Sequence, residues 1–150
     1  SGRGIGPNVV DQPARIAFQE IRRRHPNAEF LEVQGGDLEA VRAQAAGAFA
    51  VVVLTEKYPL PGFDFPEESQ RELIRFLLEH RPPPVVVLAF RDPYELVHFP
   101  DVDAYVCAMG YRPPSVVSAV KVLFGEASAP GRLPVSVPGL YKVGWTAAPP

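Results

Sequence analysis

Cysteine, histidine and lysine are scarce in this 150-residue chain. The single cysteine, Cys107, can form no internal disulfide, so a disulfide-stapled fold is excluded and the sequence leaves the redox compartment open. The three histidines, His25, His80 and His98, lack the spacing of metal ligands, so we expect neither a metal site nor a cofactor. Three lysines accompany twelve arginines, and eighteen prolines suggest stiff loops.

The chain also has little net charge and no long apolar run. Its formal charge of −2 gives no electrostatic basis for binding nucleic acid or an acidic membrane surface. Its apolar runs end after about six residues, whereas a membrane-spanning helix needs about 20. With 47% hydrophobic and 21% charged residues, the composition is that of an ordinary globular domain. We therefore expect neither a nucleic-acid partner nor a membrane partner.

Helical and extended patterns alternate along the chain. Apolar residues that recur every three or four positions predict helices, and short continuous apolar runs predict strands of a parallel sheet buried on both faces. The predicted helices cover Asp11–Arg24, Asp37–Ala46, Pro66–His80 and a last stretch from Pro114 to the residue before Gly125. The predicted strands are Glu29–Val33, Phe49–Leu54, Val85–Phe90 and Asp103–Met109.

This order of elements predicts an α/β fold. We expect a three-layer sandwich in which a mostly parallel sheet of four to five strands carries helices on both faces, as in flavodoxin-like domains. Residues 1–140 are assigned to this single domain, and residues 141–150, which contain one tryptophan and two prolines, to a loosely held tail. Pro134 and Pro138 remove backbone donors, so the extended segment Leu133–Val137 is expected at an edge or on the surface.

The start of the chain is a poor source of a first strand. Gly4–Val10 is broken by glycine, carries Pro7 and is short for a central strand. Either Ile5–Val10 forms a weak strand, or the sheet lacks one. A missing strand would leave an apolar sheet edge, which favours self-association. We therefore expect the isolated chain to form at least a homodimer.

Polar and aromatic residues follow the predicted strands where a doubly wound sheet binds its ligands, outside the carboxyl ends. The loops in question are Thr55–Phe65, Arg91–Tyr94 and Gly110–Pro113. Aromatic rings can stack on a sugar and charged groups can bind its hydroxyls, but the same residues would equally suit a polar contact between domains. The candidate rim residues are Glu56, Tyr58, Asp64, Arg91, Tyr94, Tyr111 and Arg112.

No side chain is predicted to be catalytic. The serines lack the strand–turn–helix elbow that exposes a nucleophilic serine, and Cys107 lies inside an apolar strand. Glycoside hydrolysis needs two carboxylates that flank the sugar. Glu56 and Asp64 share one loop, which is a weak basis for such a pair. Asp92 begins the sequence Asp-Pro-Tyr-Glu, which predicts a capping box at a helix start and hence a structural role.

Three stretches in the second half of the chain carry a specific pattern. Phe-Gly-Glu followed by Gly-Arg-Leu-Pro-Val-Ser-Val-Pro-Gly runs from Phe124 to Gly139, and Val85–Phe99 contains Arg-Asp-Pro-Tyr-Glu-Leu after a strand. Together with Ala104–Gly125, these stretches resemble the C-terminal α/β domain of family 3 glycoside hydrolases. The similarity is greatest to the β-N-acetylhexosaminidase (N-acetylglucosaminidase) branch.

The resemblance implies a parent chain whose N-terminal TIM-like barrel bears the catalytic aspartate, and that barrel is not in this sequence. In the β-glucosidase branch, the loop that matches Thr55–Phe65 supplies an acid/base glutamate. This sequence keeps Glu56 and Asp64 but has Leu60-Pro61 where the family's second glutamate would fall. In the hexosaminidase branch the acid/base group is a histidine of the barrel. We therefore assign no catalytic residue and expect the chain alone to be inactive.

Two functions follow as expectations. The first is an accessory C-terminal domain of a family 3 β-N-acetylhexosaminidase, which shapes the active-site rim or the assembly of the enzyme, with the barrel as partner and carbohydrate as a candidate ligand. The alternative is a free-standing flavodoxin-like module that binds carbohydrate or protein without catalysis. A barrel encoded upstream in the same reading frame separates the two.

Overall fold

A computed structural model describes residues 13–31, 33, 37–56, 67–80 and 83–147. Within these ranges two helices come first, and strands and helices alternate after them. The elements in chain order are α1 (Pro13–Arg24), α2 (Leu38–Ala45), β1 (Val51–Glu56), α3 (Glu67–His80), β2 (Val85–Phe90), a 3-10 helix (Tyr94–His98), β3 (Ala104–Cys107) and α4 (Pro113–Leu123). No helix in the described ranges is long and apolar enough to cross a bilayer.

The strands form an open parallel sheet in the order β1-β2-β3. Val51 pairs with Val85 at the start of the first ladder, and Val86 pairs with Ala104 at the start of the second. The predicted α/β class is confirmed, although the described sheet has three strands rather than four or five. The prediction of a strand at Glu29–Val33 is wrong for residues 29–31 and 33, which form no strand.

The side chain of Phe30 shows what this segment does instead. Its ring lies 5.1 Å from the ring of Phe18 on α1, so it packs against a helix rather than alongside a neighbouring strand. Phe30 and Leu31 are both exposed, whereas the residues of a central strand would be covered on both faces.

Each face of the sheet has its own hydrophobic core, because successive side chains of a strand point to opposite faces. On one face, Val85 and Val87 pack against Ile74 and Leu77 of α3, with Val41 of α2. On the other face, the core residues come from β2, α1 and α4; they are Leu88, Phe90, Ala17, Val116, Ala119 and Val120. The helices therefore cover both faces, as expected for the sandwich.

The predicted cap of the second helix is confirmed. Asp37 is the N-cap of α2, and its Oδ1 accepts a hydrogen bond of 2.9 Å from the backbone N–H of Ala40. Such a bond satisfies one of the amides that a helix leaves unpaired at its start, and it stabilises a protein by about 1 kcal/mol.

The Phe-Gly-Glu sequence ends α4 by a specific backbone geometry. Gly125 has a φ of +71°, which glycine adopts without strain. Its N–H donates to the carbonyl of Val122 at 3.0 Å, and the N–H of Glu126 donates to the carbonyl of Lys121 at 2.8 Å. These two bonds form a Schellman motif, which satisfies the last carbonyls of the helix.

The segment after α4 is held by backbone hydrogen bonds on both sides of residue 140. The N–H of Leu133 donates to the carbonyl of Trp145, and the N–H of Gly144 donates back to Leu133, both at 2.8 Å. Val137, which is only 1% exposed, forms an isolated antiparallel bridge with Tyr141. These bonds cross the predicted domain boundary at residue 140, and the boundary itself stays a prediction.

Candidate functional site

The carboxyl ends of the three strands lie at one edge of the sheet because the strands are parallel. Glu56 is the last residue of β1 and pairs in register with Phe90 at the end of β2. Tyr58 and Asp64 lie outside the described residues. The other predicted rim residues follow β2 and β3; they are Arg91, Tyr94, Tyr111 and Arg112.

The structure brings three of these residues together. The guanidinium carbon of Arg91 lies 5.7 Å from the centre of the Tyr111 ring, and that of Arg112 lies 5.3 Å from it. Both distances are within the range of a cation–π contact. We call Arg91, Tyr111 and Arg112 the rim cluster. Tyr94, which is 44% exposed, is on the 3-10 helix of the same edge.

The side chain of Arg91 reaches the Tyr111 ring through an unusual backbone conformation. Val85–Ala89 alternates between the two faces, with the odd-numbered residues on the α2–α3 side and Leu88 on the α1–α4 side. Residue 91 would continue on the α2–α3 side, yet its guanidinium lies over Tyr111, which packs against the opposite core. Its φ of +103° accompanies this change of side. For a non-glycine residue, such a backbone conformation raises the free energy of the folded state by about 1–3 kcal/mol, and residues strained in this way are common at functional sites.

The capping box predicted at Asp92 is wrong in its details. The helix that follows is a 3-10 helix of five residues with Pro93 at its N-cap position and no side-chain cap bond. Asp92 Oδ1 instead accepts from the N–H of Tyr94, two residues on, at 3.2 Å, as in an Asx turn. Glu95, the expected partner in the box, is bound by Arg71. A charged bidentate donor competes well with a neutral backbone amide, which explains the difference.

The pairing of Arg71 with Glu95 joins α3 to the loop after β2. Arg71 Nε and Nη2 each donate to one oxygen of Glu95, both at 2.8 Å. The side chains are only 17% and 15% exposed. Arg71 also contacts Glu68 on its own helix, with Nη1 at 3.6 Å from Oε2. No local pattern predicts a partner 24 positions away.

The end of β3 contributes sulfur atoms to the same edge of the sheet. Cys107 Sγ lies 3.5 Å from Sδ of Met109, whose φ of +49° is also in the left-handed region. Burial raises the pKa of the Cys107 thiol to about 11, so the group is protonated and weakly nucleophilic at neutral pH. This agrees with the interpretation of Cys107 as a structural residue.

Tyr105 is a residue whose behaviour the sequence does not reveal. Its hydroxyl oxygen is buried and meets no hydrogen-bond partner among the described residues, and burial raises the pKa of this phenol well above its ordinary value. Its ring centre lies 6.3 Å from that of Phe99, so the side chain belongs to the core on the α2–α3 face. It is a packing residue rather than part of the rim cluster.

The N-terminus of α4 points no free amides at the rim. Its first two residues are Pro113 and Pro114, which have no N–H. The N–H groups of Ser115 and Val116 donate to the carbonyl of Arg112 at 2.9 and 3.1 Å. Helix amides therefore cannot bind an anion here as they do in phosphate sites, and polar recognition at this point falls to side chains.

The described residues contain no group of three histidine, cysteine or acidic side chains placed to hold a metal ion.

The sequence itself matches the Glycosyl hydrolase family 3 C-terminal domain over residues 1–143. The chain belongs to this family. The resemblance seen in the Phe124–Gly139 motif is thereby confirmed, and the match extends it to the N-terminal part of the chain.

A solved structure with a similar fold is that of a fungal multi-domain family 3 β-N-acetylglucosaminidase, which also contains a GCN5-related glucosamine N-acetyltransferase region. The two structures superpose with a TM-score of 0.73 at 27% sequence identity. The alignment covers 92% of this chain but only 15% of the fungal chain. Comparison with curated proteins gives no match.

Proposed function

We propose that this chain is the accessory C-terminal domain of a family 3 β-N-acetylhexosaminidase, and that its strand-end loops shape the rim of an active site carried by an N-terminal barrel. The observation that carries the proposal is the similarity to the fungal β-N-acetylglucosaminidase over 92% of this chain, in a chain that belongs to the family. The barrel is its partner, and the carbohydrate substrate is the ligand at the rim.

The rim cluster suits the recognition of polar groups on a sugar more than the stacking of its ring. The two guanidinium groups of Arg91 and Arg112 lie over Tyr111, so the arene serves to hold the cations. Each guanidinium has five N–H donors, and sugar hydroxyls and an acetamido carbonyl are acceptors. Tyr94 offers a more exposed ring for an apolar sugar face.

The chemical step is assigned to the barrel. Hydrolysis of a glycoside needs an acid and a nucleophile or base on either side of the bond. Asp92 is hydrogen-bonded to the backbone of Tyr94, and the thiol of Cys107 is protonated at neutral pH. The domain then acts by orienting the substrate and excluding water, and both effects change the rate without a reacting group.

The proposal also includes self-association of the isolated chain. In the described sheet, β1 and β3 each pair only with β2. An uncovered edge of a parallel sheet presents backbone donors and acceptors to another chain. We therefore propose a homodimer for the 150-residue chain when it is separated from a barrel.

The test compares the purified chain with the protein encoded by its complete reading frame, using nitrophenyl β-N-acetylglucosaminide and nitrophenyl β-glucoside. We expect no turnover by the chain alone and turnover of the acetamido substrate by the complete protein. In the complete protein, Arg112→Gln should raise KM. The matched control is Arg132→Gln, because Arg132 is also an exposed arginine but binds the carbonyl of Gly144.

Two results would contradict the proposal. One is turnover by the isolated chain that Glu56→Gln or Asp64→Asn abolishes, because the catalytic groups would then lie in this domain. The other is a complete reading frame without a barrel, which would favour the free-standing binding module.

A further inference from the structure

The left-handed backbone of Arg91 requires neighbours that hold it in place. A residue with a φ of +103° relaxes to a lower-energy conformation unless the surrounding structure determines its position from more than one side. On the side of β2, Ala89 is held by the sheet, since its carbonyl accepts from the N–H of Ala108 at 2.9 Å. On the other side, the chain enters the 3-10 helix within three residues.

Two side-chain hydrogen-bonding contacts within the described residues help to hold that helix. Asp92 Oδ1 accepts from the N–H of Tyr94 at 3.2 Å, a bond that is local to the turn. Glu95 accepts two hydrogen bonds from Arg71 at 2.8 Å, and these tie the turn to a separate element. The second contact is the stronger, because bidentate charged pairs are more directional than single bonds and this pair is largely shielded from water.

The element at the far end of this contact is rigid. Arg71 is on α3, whose Ile74 and Leu77 are fully buried against the sheet. A closely packed helix shifts little, so a side chain anchored on it gives a fixed reference point for the loop after β2.

We infer that Arg71 and Glu95 are positioning residues for the rim cluster. By tying the 3-10 helix to α3, they hold Arg91 in its left-handed conformation with the guanidinium over Tyr111. The inference rests on the proposed function only in that the rim cluster is the recognition site. The contact between Arg91 and Tyr111 is measurable in the 150-residue chain without a substrate.

The experiment is solution NMR of the chain with single substitutions. Arg71→Gln removes the bidentate donor, and Glu95→Gln replaces one acceptor oxygen by a donor of nearly the same size. In both variants we expect loss of the nuclear Overhauser effects between the Arg91 side chain and the Tyr111 ring. The three-bond HN–Hα coupling of Arg91, which reports φ, should move away from its left-handed value.

Arg75→Gln is the matched control. Arg75 is one turn further along α3 and is also paired with a glutamate, but that partner, Glu68, is on the same helix at 2.9 Å. The control loses the same charge and an ion pair, and it should keep both NMR signatures of Arg91. The exchanged pair, Arg71→Glu with Glu95→Arg, should recover the Arg91–Tyr111 contact that each single exchange loses.

An intact Arg91–Tyr111 contact in folded Arg71→Gln and Glu95→Gln overturns the inference, and so does loss of the contact in Arg75→Gln. If Arg71→Gln fails to fold, the smaller change Glu95→Gln decides alone. These outcomes leave the proposed function unaffected. The proposed function fails instead if the complete protein does not hydrolyse the acetamido substrate.

Discussion

The guanidinium of Arg24 and the carboxylate of Glu126 are joined by two hydrogen bonds, of 2.6 and 2.8 Å, although 102 positions separate the residues. Arg24 is the last residue of α1, and Glu126 is the last residue of the Schellman motif that ends α4. The same guanidinium lies 5.8 Å from the ring centre of Phe124. The ends of the two helices that cover one face of the sheet are therefore fastened to each other through the Phe-Gly-Glu sequence.

The pair predicts a dependence of stability on pH. Hydrogen bonding to Arg24 lowers the pKa of Glu126 below its ordinary value of about 4.5. A carboxyl whose pKa is lower in the folded state stabilises the protein above its unfolded-state pKa, and this stabilisation is lost as pH falls through the folded-state pKa. In urea titrations, wild type should exceed Glu126→Gln in stability by a constant amount from pH 7 to about 4.5.

Below that pH the two curves should converge. The difference should be modest, because Glu126 is 44% exposed and water screens the pair. A gap between wild type and variant that stays the same down to pH 2 would show that Glu126 acts through packing and not through its charge.

Gly125→Ala should destabilise the chain. At a φ of +71° the backbone strain of a residue with a β-carbon is about 1–2 kcal/mol. An added β-carbon would meet no described atom within 4 Å, so backbone strain rather than a steric clash is the main effect. Gly47→Ala is the control, because its site is equally open but has no positive φ. Chemical denaturation should show a loss of about 1 kcal/mol for the first variant and little change for the second. Equal losses would assign the cost to something other than the backbone of Gly125.

Arg91→Gly and Arg91→Ala should differ in stability although both remove the guanidinium. Glycine adopts a φ of +103° freely, whereas alanine keeps the strain. We expect the glycine variant to unfold at the higher urea concentration, with a difference of about 1 kcal/mol. Identical midpoints would mean that residue 91 changes conformation once its side chain no longer contacts Tyr111.

The isolated chain should scatter light as a dimer at high concentration. The physical reason is the pairing of β1 and β3 on one side only within the described sheet. Multi-angle light scattering gives the mass directly, and the monomer is 16.4 kDa. A monomer across the whole concentration range would reject self-association and would leave the assignment to the glycoside hydrolase family intact.

The sequence predicts the regular elements better than it predicts the contacts between them. The period of α3 and the continuous apolar run of β2 lie within single segments, so spacing alone identifies them. The bond between Arg71 and Glu95 joins residues 24 positions apart, and the change of side at Arg91 depends on a backbone angle. Neither leaves a local pattern. The capping box at Asp92 failed for the same reason, because its glutamate had a better partner elsewhere in the fold.

The backbone ladder around Val137 has a practical consequence for anyone who shortens or fuses this protein. A cut after residue 140 would remove Tyr141, Gly144 and Trp145, and with them the partners of Val137 and Leu133. Val137, which is 1% exposed, lies in the segment that would lose these bonds. Shortened chains that keep the sequence through Trp145 should therefore remain soluble, while chains that stop at Leu140 should aggregate. The rings of Tyr141 and Trp145 are 4.4 Å apart, and the junction for any domain exchange lies beyond this pair.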